Sequence, residues 1–248
     1  MTVKELFRAG KLNEAIQALG GELRDRPTDT QRRTFLFEML CFAGEYSRAE
    51  KHLSILGDAN VDAGVGALLY RSALMAERKR QAFFESKDYE KAAPLESKPR
   101  PGKLNGEPFQ TIEDADPRIG PRLEVFIAGE YIWLPFEHIG SLSMEAPKLL
   151  RDMLWPSAVV TAGPALKGQD FGEVILPAIY PFSWKHTRDS VKLGRETDWA
   201  EQDGVAVASG QKLLVLDGER EIPFLEVRSL QFDDADVPAD VSQDNVEE

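Results

Sequence analysis

One offset recurs at the start of this chain: the segment Leu6 to Leu19 overlays Leu40 to Leu53 when shifted by 34 residues. Leu6 pairs with Leu40, Ala9 with Ala43, Gly10 with Gly44, Leu12 with Tyr46, Ala15 with Ala49 and Leu19 with Leu53. Thirty-four is the period of tetratricopeptide (TPR) units, each a helix, a tight turn and a second helix, and such units bury their faces by stacking on neighbours. Gly10 and Gly44 fall where the chain needs a left-handed residue after the first helix of each unit. Asn13 and Ser47 are then expected as N-caps of the second helices, and Ala15 and Ala49 are small where two helices approach. Pro27-Thr28-Asp29 ends the first unit and caps the next. Gly20-Gly21 fit poorly, since each glycine inside a helix costs about 1 kcal/mol relative to alanine. Either that helix bends, or another backbone packs closely against it.

Leu36, Met39, Leu40 and Ala43 form an apolar stripe at i, i+3, i+4 and i+7, and Leu68, Leu69, Ser72, Met75 and Ala76 roughly continue the pattern. The third unit then decays, because Arg78 and Phe83 stand where the register wants Gly and Ala, so residues 62–85 are expected as a capping helix. Residues 1–86 therefore read as a TPR-like helical repeat domain, against the competing reading of a small bundle with chance periodicity. Six prolines mark residues 87–121 as a linker or wrapping segment.

From Leu123 the period changes to two. Leu123–Ala128 and Tyr131–Leu134 flank Gly129-Glu130 as one hairpin. Lys212–Leu216 and Glu221–Val227 flank Asp217-Gly218 as another. Ala158–Thr161 and Gly172–Leu176 read as strands and Pro147–Trp155 as a short helix. The expected fold class is α+β multidomain, with N-terminal TPR-like α-helical repeats followed by a β-rich C-terminal domain over residues 122–232.

Composition narrows function. The formal charge is −12, and residues 233–248 carry seven acids and no base, a composition expected to leave that tail disordered. An acidic body argues against nucleic acid, and Arg78-Lys79-Arg80 is too small a cluster to reverse this. A single cysteine, Cys41, excludes an internal disulfide. The N-terminus has no secretory apolar core, and no uncharged apolar run approaches the roughly 20 residues that span a bilayer. The expected address is cytoplasmic.

Candidate chemistry is sparse. His52, His138 and His186 are scattered without metal-ligand spacing, so no metal is expected. Neither a Gly-x-Ser-x-Gly elbow nor a phosphate-binding glycine loop occurs, and His186-Thr-Arg-Asp189 reads as a polar loop. Cys41, among Phe37, Leu40 and Ala43, reads as a packing thiol. Trp133, Trp155, Trp184 and Trp199 read as packing residues of the β-rich domain. No cofactor, small-molecule substrate or catalytic set is expected, which leaves a non-catalytic adaptor. Repeat geometry turns the first helix of each unit inward, placing Thr34, Glu38 and Cys41 on the same side as Leu68, Ser72 and Met75 as a partner surface. The same positions equally suit plain inter-helix core.

Seven blocks in one order resemble the ImpE family, also called TagJ or SciE. They are Leu6-Phe-Arg-Ala-Gly-Lys-Leu-Asn-Glu-Ala15, Leu36-Phe-Glu-Met-Leu-Cys-Phe-Ala-Gly44, Arg118-Ile-Gly-Pro-Arg-Leu-Glu-Val-Phe126, Trp133-Leu-Pro-Phe-Glu137, Leu149-Leu-Arg-Asp-Met-Leu-Trp155, Leu176-Pro-Ala-Ile-Tyr-Pro181 and Leu193-Gly-Arg-Glu-Thr-Asp-Trp199. The resemblance implies an accessory protein of a bacterial type VI secretion system. It also implies binding to the N-terminal helix of TssB, the small subunit of the contractile sheath, and an influence on sheath disassembly by the ClpV ATPase. No residue-level site is carried over. Two alternatives stay open: a general TPR scaffold, and a hydrolase-like or small-ligand-binding C-terminal domain recruited by the repeats.

Overall fold

The computed structural model describes residues 1–58, 61–166 and 170–233. The expected acidic tail lies outside the described residues from Asp234 onward. Five helices come first: α1 (Val3–Arg8), α2 (Leu12–Asp25), α3 (Thr30–Phe42), α4 (Tyr46–Gly57) and α5 (Val61–Glu85). Gly10 and Gly44 turn the first two pairs with φ of 74° and 71°, left-handed at both positions of the 34-residue offset. Asp29 caps α3 by accepting from the Arg32 N–H at 2.9 Å.

Asn13 and Ser47 do not cap. The N-cap residues are Lys11 and Glu45, neither with a side-chain cap bond, and Asn13 and Ser47 sit inside the first turn. The C-terminal part does this work for α2: Asp189 Oδ2 accepts from the Leu12 N–H at 2.8 Å across 177 residues. Arg195 closes the other side of the same turn, donating to the carbonyls of Arg8 and Phe7 at 3.0 and 2.8 Å. An anion thus meets a helix start and a cation a helix end, as the helix dipole favours.

The β-rich part follows, among the described residues, as thirteen short strands: β1 (Gly102–Leu104), β2 (Glu107–Phe109), β3 (Ile112–Asp114), β4 (Arg122–Ile127), β5 (Glu130–Pro135), β6 (Ile139–Met144), β7 (Ser157–Ala162), β8 (Asp170–Ile175), β9 (Thr197–Gln202), β10 (Val205–Gly210), β11 (Leu213–Leu216), β12 (Arg220–Pro223) and β13 (Ser229–Phe232). An antiparallel sheet runs in the order β2-β1-β13-β6-β7-β8-β4-β5, with a second sheet β12-β11-β3 and a ribbon β10-β9. Both expected hairpins are present. β4 and β5 turn on Ala128-Gly129, both with positive φ, and Asp217-Gly218, also with positive φ, lie between β11 and β12. Pro147–Trp155 holds only a short 3₁₀ turn at Leu150–Met153. The one α-helix in this half is α6 (Asp189–Lys192), among the described residues.

Residues 87–121 are not simply a linker. β1, β2 and β3 fall within them, and Leu104, Phe109, Ile112 and Ile119 are buried. Proline misleads here because Pro108 occupies β2, at the edge of the large sheet, where its missing N–H costs no ladder bond.

Strand β4 explains how helices and sheet become one body. Leu123 and Val125 join the core between the two sheets, whereas Phe126 joins the helical core together with Trp155, Ile175, Ile179 and Leu193. A strand buried on both faces has no polar side. Glu124, polar and outward by the period-two pattern, is accordingly enclosed, and α5 supplies its partner: Arg80 donates Nε and Nη2 to the Glu124 oxygens at 2.7 and 2.9 Å. Lys212 bridges Glu124 and Asp114, at 2.7 Å to the latter, and the Tyr131 hydroxyl donates to Glu124 at 2.6 Å. Burial raises the Asp114 carboxyl to about 6 despite Lys212. Burial would raise Glu124 as well, but the flanking Arg80 and Lys212 charges hold it down at about 2. Arg80 therefore belongs to the interior and not to a surface basic cluster. Breaking such a pair on one side costs about 3–5 kcal/mol, because the orphaned charge stays buried.

Candidate partner surface

α5 is apolar on more than one side. Ala67, Ala73, Leu74, Ala76 and Phe84 are buried against the rest of the molecule. The opposite side carries Val61, Val65, Leu68, Leu69 and Met75, exposed by 83, 67, 61, 46 and 47 %. These are five of the twelve large apolar residues exposed among the described residues, all on one helix. A contiguous apolar helix face left exposed is a candidate interaction surface.

The spacing is that of a helix–helix seam. Val61, Val65, Leu68, Ser72 and Met75 step by 4, 3, 4 and 3, the a/d register of a helix that packs knobs into the holes of another helix. At 1.5 Å per residue the stripe is about 21 Å long, four turns. It exposes on the order of 400 Å² of apolar side chain, at roughly 60–120 Å² per residue, well short of the ~800 Å² per partner of a stable protein interface. A face of that length and area matches the size of one helix of about fifteen residues. Beyond Met75 the face becomes polar: Gly129 of the β4–β5 turn lies against Met75, and Lys79 pairs with Glu130.

The six residues expected to share a partner surface do not share one. Leu68, Ser72 and Met75 lie on the exposed stripe, Ser72 half-buried. Thr34 is half-buried in a shallow groove between α3 and α5, its hydroxyl donating to the Thr30 carbonyl at 3.0 Å. Glu38 and Cys41 are enclosed, Cys41 at 3 % exposure, because the C-terminal part covers the face that an isolated repeat would leave open. Arg151 reaches across to Glu38 at 3.1 Å, and burial pushes the Glu38 carboxyl up in spite of that cation. Burial pushes the Cys41 thiol well up, so it is a packing thiol. Val61 and Val65, absent from the expected set, complete the stripe. The 4-3-4-3 spacing was the signal that would have found them.

The C-terminal part has an open cleft of about 890 Å³ between Tyr89, Arg118 and the β9–β10 ribbon. Its imidazole, His186, is engaged by Asp198 at 3.0 Å and accepts from the Arg188 N–H at 3.0 Å. Lys87 at its rim is paired with Asp203 at 2.9 Å. Among the described residues, no group of three His, Cys, Asp or Glu side chains is placed to hold a metal ion, and no helix is long and apolar enough to cross a membrane. Of the tryptophans, Trp155 is core, Trp184 packs on Gly44, and Trp199 is exposed.

Taken together, fold and surface define an α+β protein in which a helical layer is fused to an antiparallel sheet and presents an unpaired apolar helix face. The family described as ImpE protein matches residues 106–231. The chain is 32% identical over 268 aligned residues to the type VI secretion system accessory component TagJ of Pseudomonas aeruginosa, covering 95% of this chain and 92% of that protein. It also superimposes on the crystal structure of protein VPA1032 from Vibrio parahaemolyticus with a TM-score of 0.79, at 25% identity, covering 93% of this chain and 97% of that one. The chain belongs to the ImpE family.

Proposed function

We propose that this protein is an accessory component of a type VI secretion system that binds a helical segment of the sheath subunit TssB along the α5 stripe and so influences sheath disassembly by ClpV. The secretion-system role is supported by the relation to TagJ. The sheath and ATPase partners come from the family resemblance. The observation that carries a helical partner is the 4-3-4-3 apolar stripe left exposed on α5. In this reading the α1–α2 and α3–α4 pairs are TPR-like units that hold α5 in place, the role is one of binding without catalysis, and the protein works in the cytoplasm with the sheath.

Isothermal calorimetry of the full chain against a peptide of the TssB N-terminal helix tests the reading. A saturable one-to-one complex is expected, with a negative heat-capacity change from apolar burial. Absence of heat and of competition at high micromolar peptide would remove it.

A further inference from the structure

A second concave surface lies on the helical layer, away from the α5 stripe. α2, α3 and α4 enclose a groove of about 640 Å³. Its floor is apolar, formed by Ile16, Leu23 and Leu36. Among the described residues, every ionisable group that lines it is basic: Arg24, Arg33, Arg48 and His52. That is a local inversion in a chain of net charge −12.

The local bonds leave much of this charge available. Arg24 makes only a 3.5 Å bond to the Gly20 carbonyl, and Arg33 reaches His52 Nδ1 at 3.2 Å and the Pro27 carbonyl. Among the described residues neither forms an ion pair, and the exposed Arg48 pairs with the half-buried Glu45.

The double glycine of α2 belongs to the same groove. Gly20 and Gly21 continue the helix and show no positive φ, and no atom lies within 4 Å of where a Cβ would stand on either. No internal packing therefore calls for them, although together they cost about 1–2 kcal/mol of helix propensity. Gly20 lines the groove. A missing side chain at the lip of a ligand-sized concavity lets another backbone come close.

We infer that the α2–α3–α4 groove is a docking site for an acidic segment of a partner protein, its backbone passing over Gly20, an apolar side chain entering between Ile16, Leu23 and Leu36, and its carboxylates paired with Arg24, Arg33 and Arg48. Guanidinium groups take carboxylates through paired hydrogen bonds, and three of them around one groove set both charge and spacing. This surface is separate from the α5 stripe, so an adaptor would hold two segments at once.

Fluorescence anisotropy with the full chain and a labelled peptide of about fourteen residues, four glutamates around two leucines, tests the inference beside its glutamate-to-glutamine counterpart. The glutamate peptide is expected to saturate, to bind at least tenfold more tightly than the glutamine peptide, and to weaken severalfold between 50 and 300 mM salt. Arg24→Gln with Arg48→Gln should lower affinity at least tenfold. Gly20→Leu should do the same while leaving the circular dichroism spectrum unchanged, because the added side chain meets open space. Leu68→Lys, which strikes the α5 stripe, should leave this affinity alone and so separates the two surfaces. Equal binding of the two peptides, undiminished binding by the groove variants, no saturation below 1 mM, or tighter binding of a phosphopeptide or of anionic vesicles would overturn the assignment.

Discussion

Gly44→Ala is the substitution that measures how tightly the sheet half clamps the N-terminal helices. Gly44 has φ +71°, where an alanine costs about 1–2 kcal/mol from the clash of its Cβ with the backbone. A Cβ there would also stand 2.4 and 2.5 Å from Cδ2 and Cγ of Trp184. Trp184 is a poor candidate to yield, since its indole N–H is directed at Gln81 Oε1 at 3.4 Å and Phe182 beside it donates its N–H to the same oxygen at 3.2 Å. Overpacking of this kind adds about 1–3 kcal/mol, for a total of about 2–5 kcal/mol. Gly10, one period earlier, has φ +74° but finds only Arg195 Nη1 at 3.8 Å, an ordinary contact. Gly10→Ala should therefore cost only the backbone part, about 1–2 kcal/mol. Urea unfolding followed by tryptophan fluorescence and circular dichroism gives both values. Adding Trp184→Ala to Gly44→Ala should relieve the steric part, a coupling of about 1–3 kcal/mol in the double-mutant cycle. Equal costs for Gly10→Ala and Gly44→Ala, or zero coupling with Trp184, would refute the claim that the second turn is pinned by the C-terminal half.

Gly20→Ala and Gly21→Ala should each stabilise the protein by about 0.5–1 kcal/mol, read from the urea midpoint, because a Cβ meets open space and helix propensity rises. Cys41 should resist a thiol reagent in the folded protein and react fully in denaturant, and rapid native labelling would contradict its burial. Burial gives Asp114 a folded pKa of about 6, above the ordinary 3.8 of a free aspartate, so the folded state holds the extra proton between those values and stability from this group falls as pH rises from about 4 to 6.5. Glu124, at about 2 when folded, acts oppositely, its contribution being present above about 4.5 and lost toward pH 2. Asp114→Asn should remove the first slope, on the order of 2 kcal/mol, when unfolding curves are compared across that window.

Local chemistry was readable in the chain wherever the cause of a structure lay within a few residues of it. The glycines at 10 and 44 need only their own backbone angles, Asp29 caps a helix three residues away, and the β4–β5 and β11–β12 hairpins follow from short turns flanked by apolar runs. What escaped was set by distant partners. Asn13 has the right side chain for a cap, yet the Leu12 N–H is taken by Asp189 from the other half of the chain. Glu124 is enclosed because a second layer brings Arg80 to it, which strand alternation alone does not reveal. Glu38 and Cys41 suit either a partner surface or inter-helix core by sequence, and the sheet half decides between them by covering that face. Pro108 suggested linker because edge-strand tolerance depends on a neighbour that the local sequence does not reveal. Leu68, Ser72 and Met75 share one face of α5 because their own spacing defines it.

In the proposed function the α5 stripe grips a helix of the sheath subunit. Calorimetric titration of the TssB N-terminal peptide into Leu68→Lys, beside the unaltered chain, tests it most directly. Leu68 is 61% exposed at the middle of the stripe, so the unbound protein should remain as stable as before. Removing one buried leucine from the complex forfeits about 1.5–3 kcal/mol, which predicts a loss of ten- to over a hundredfold in affinity. Binding with undiminished affinity would place the helix elsewhere and contradict the account.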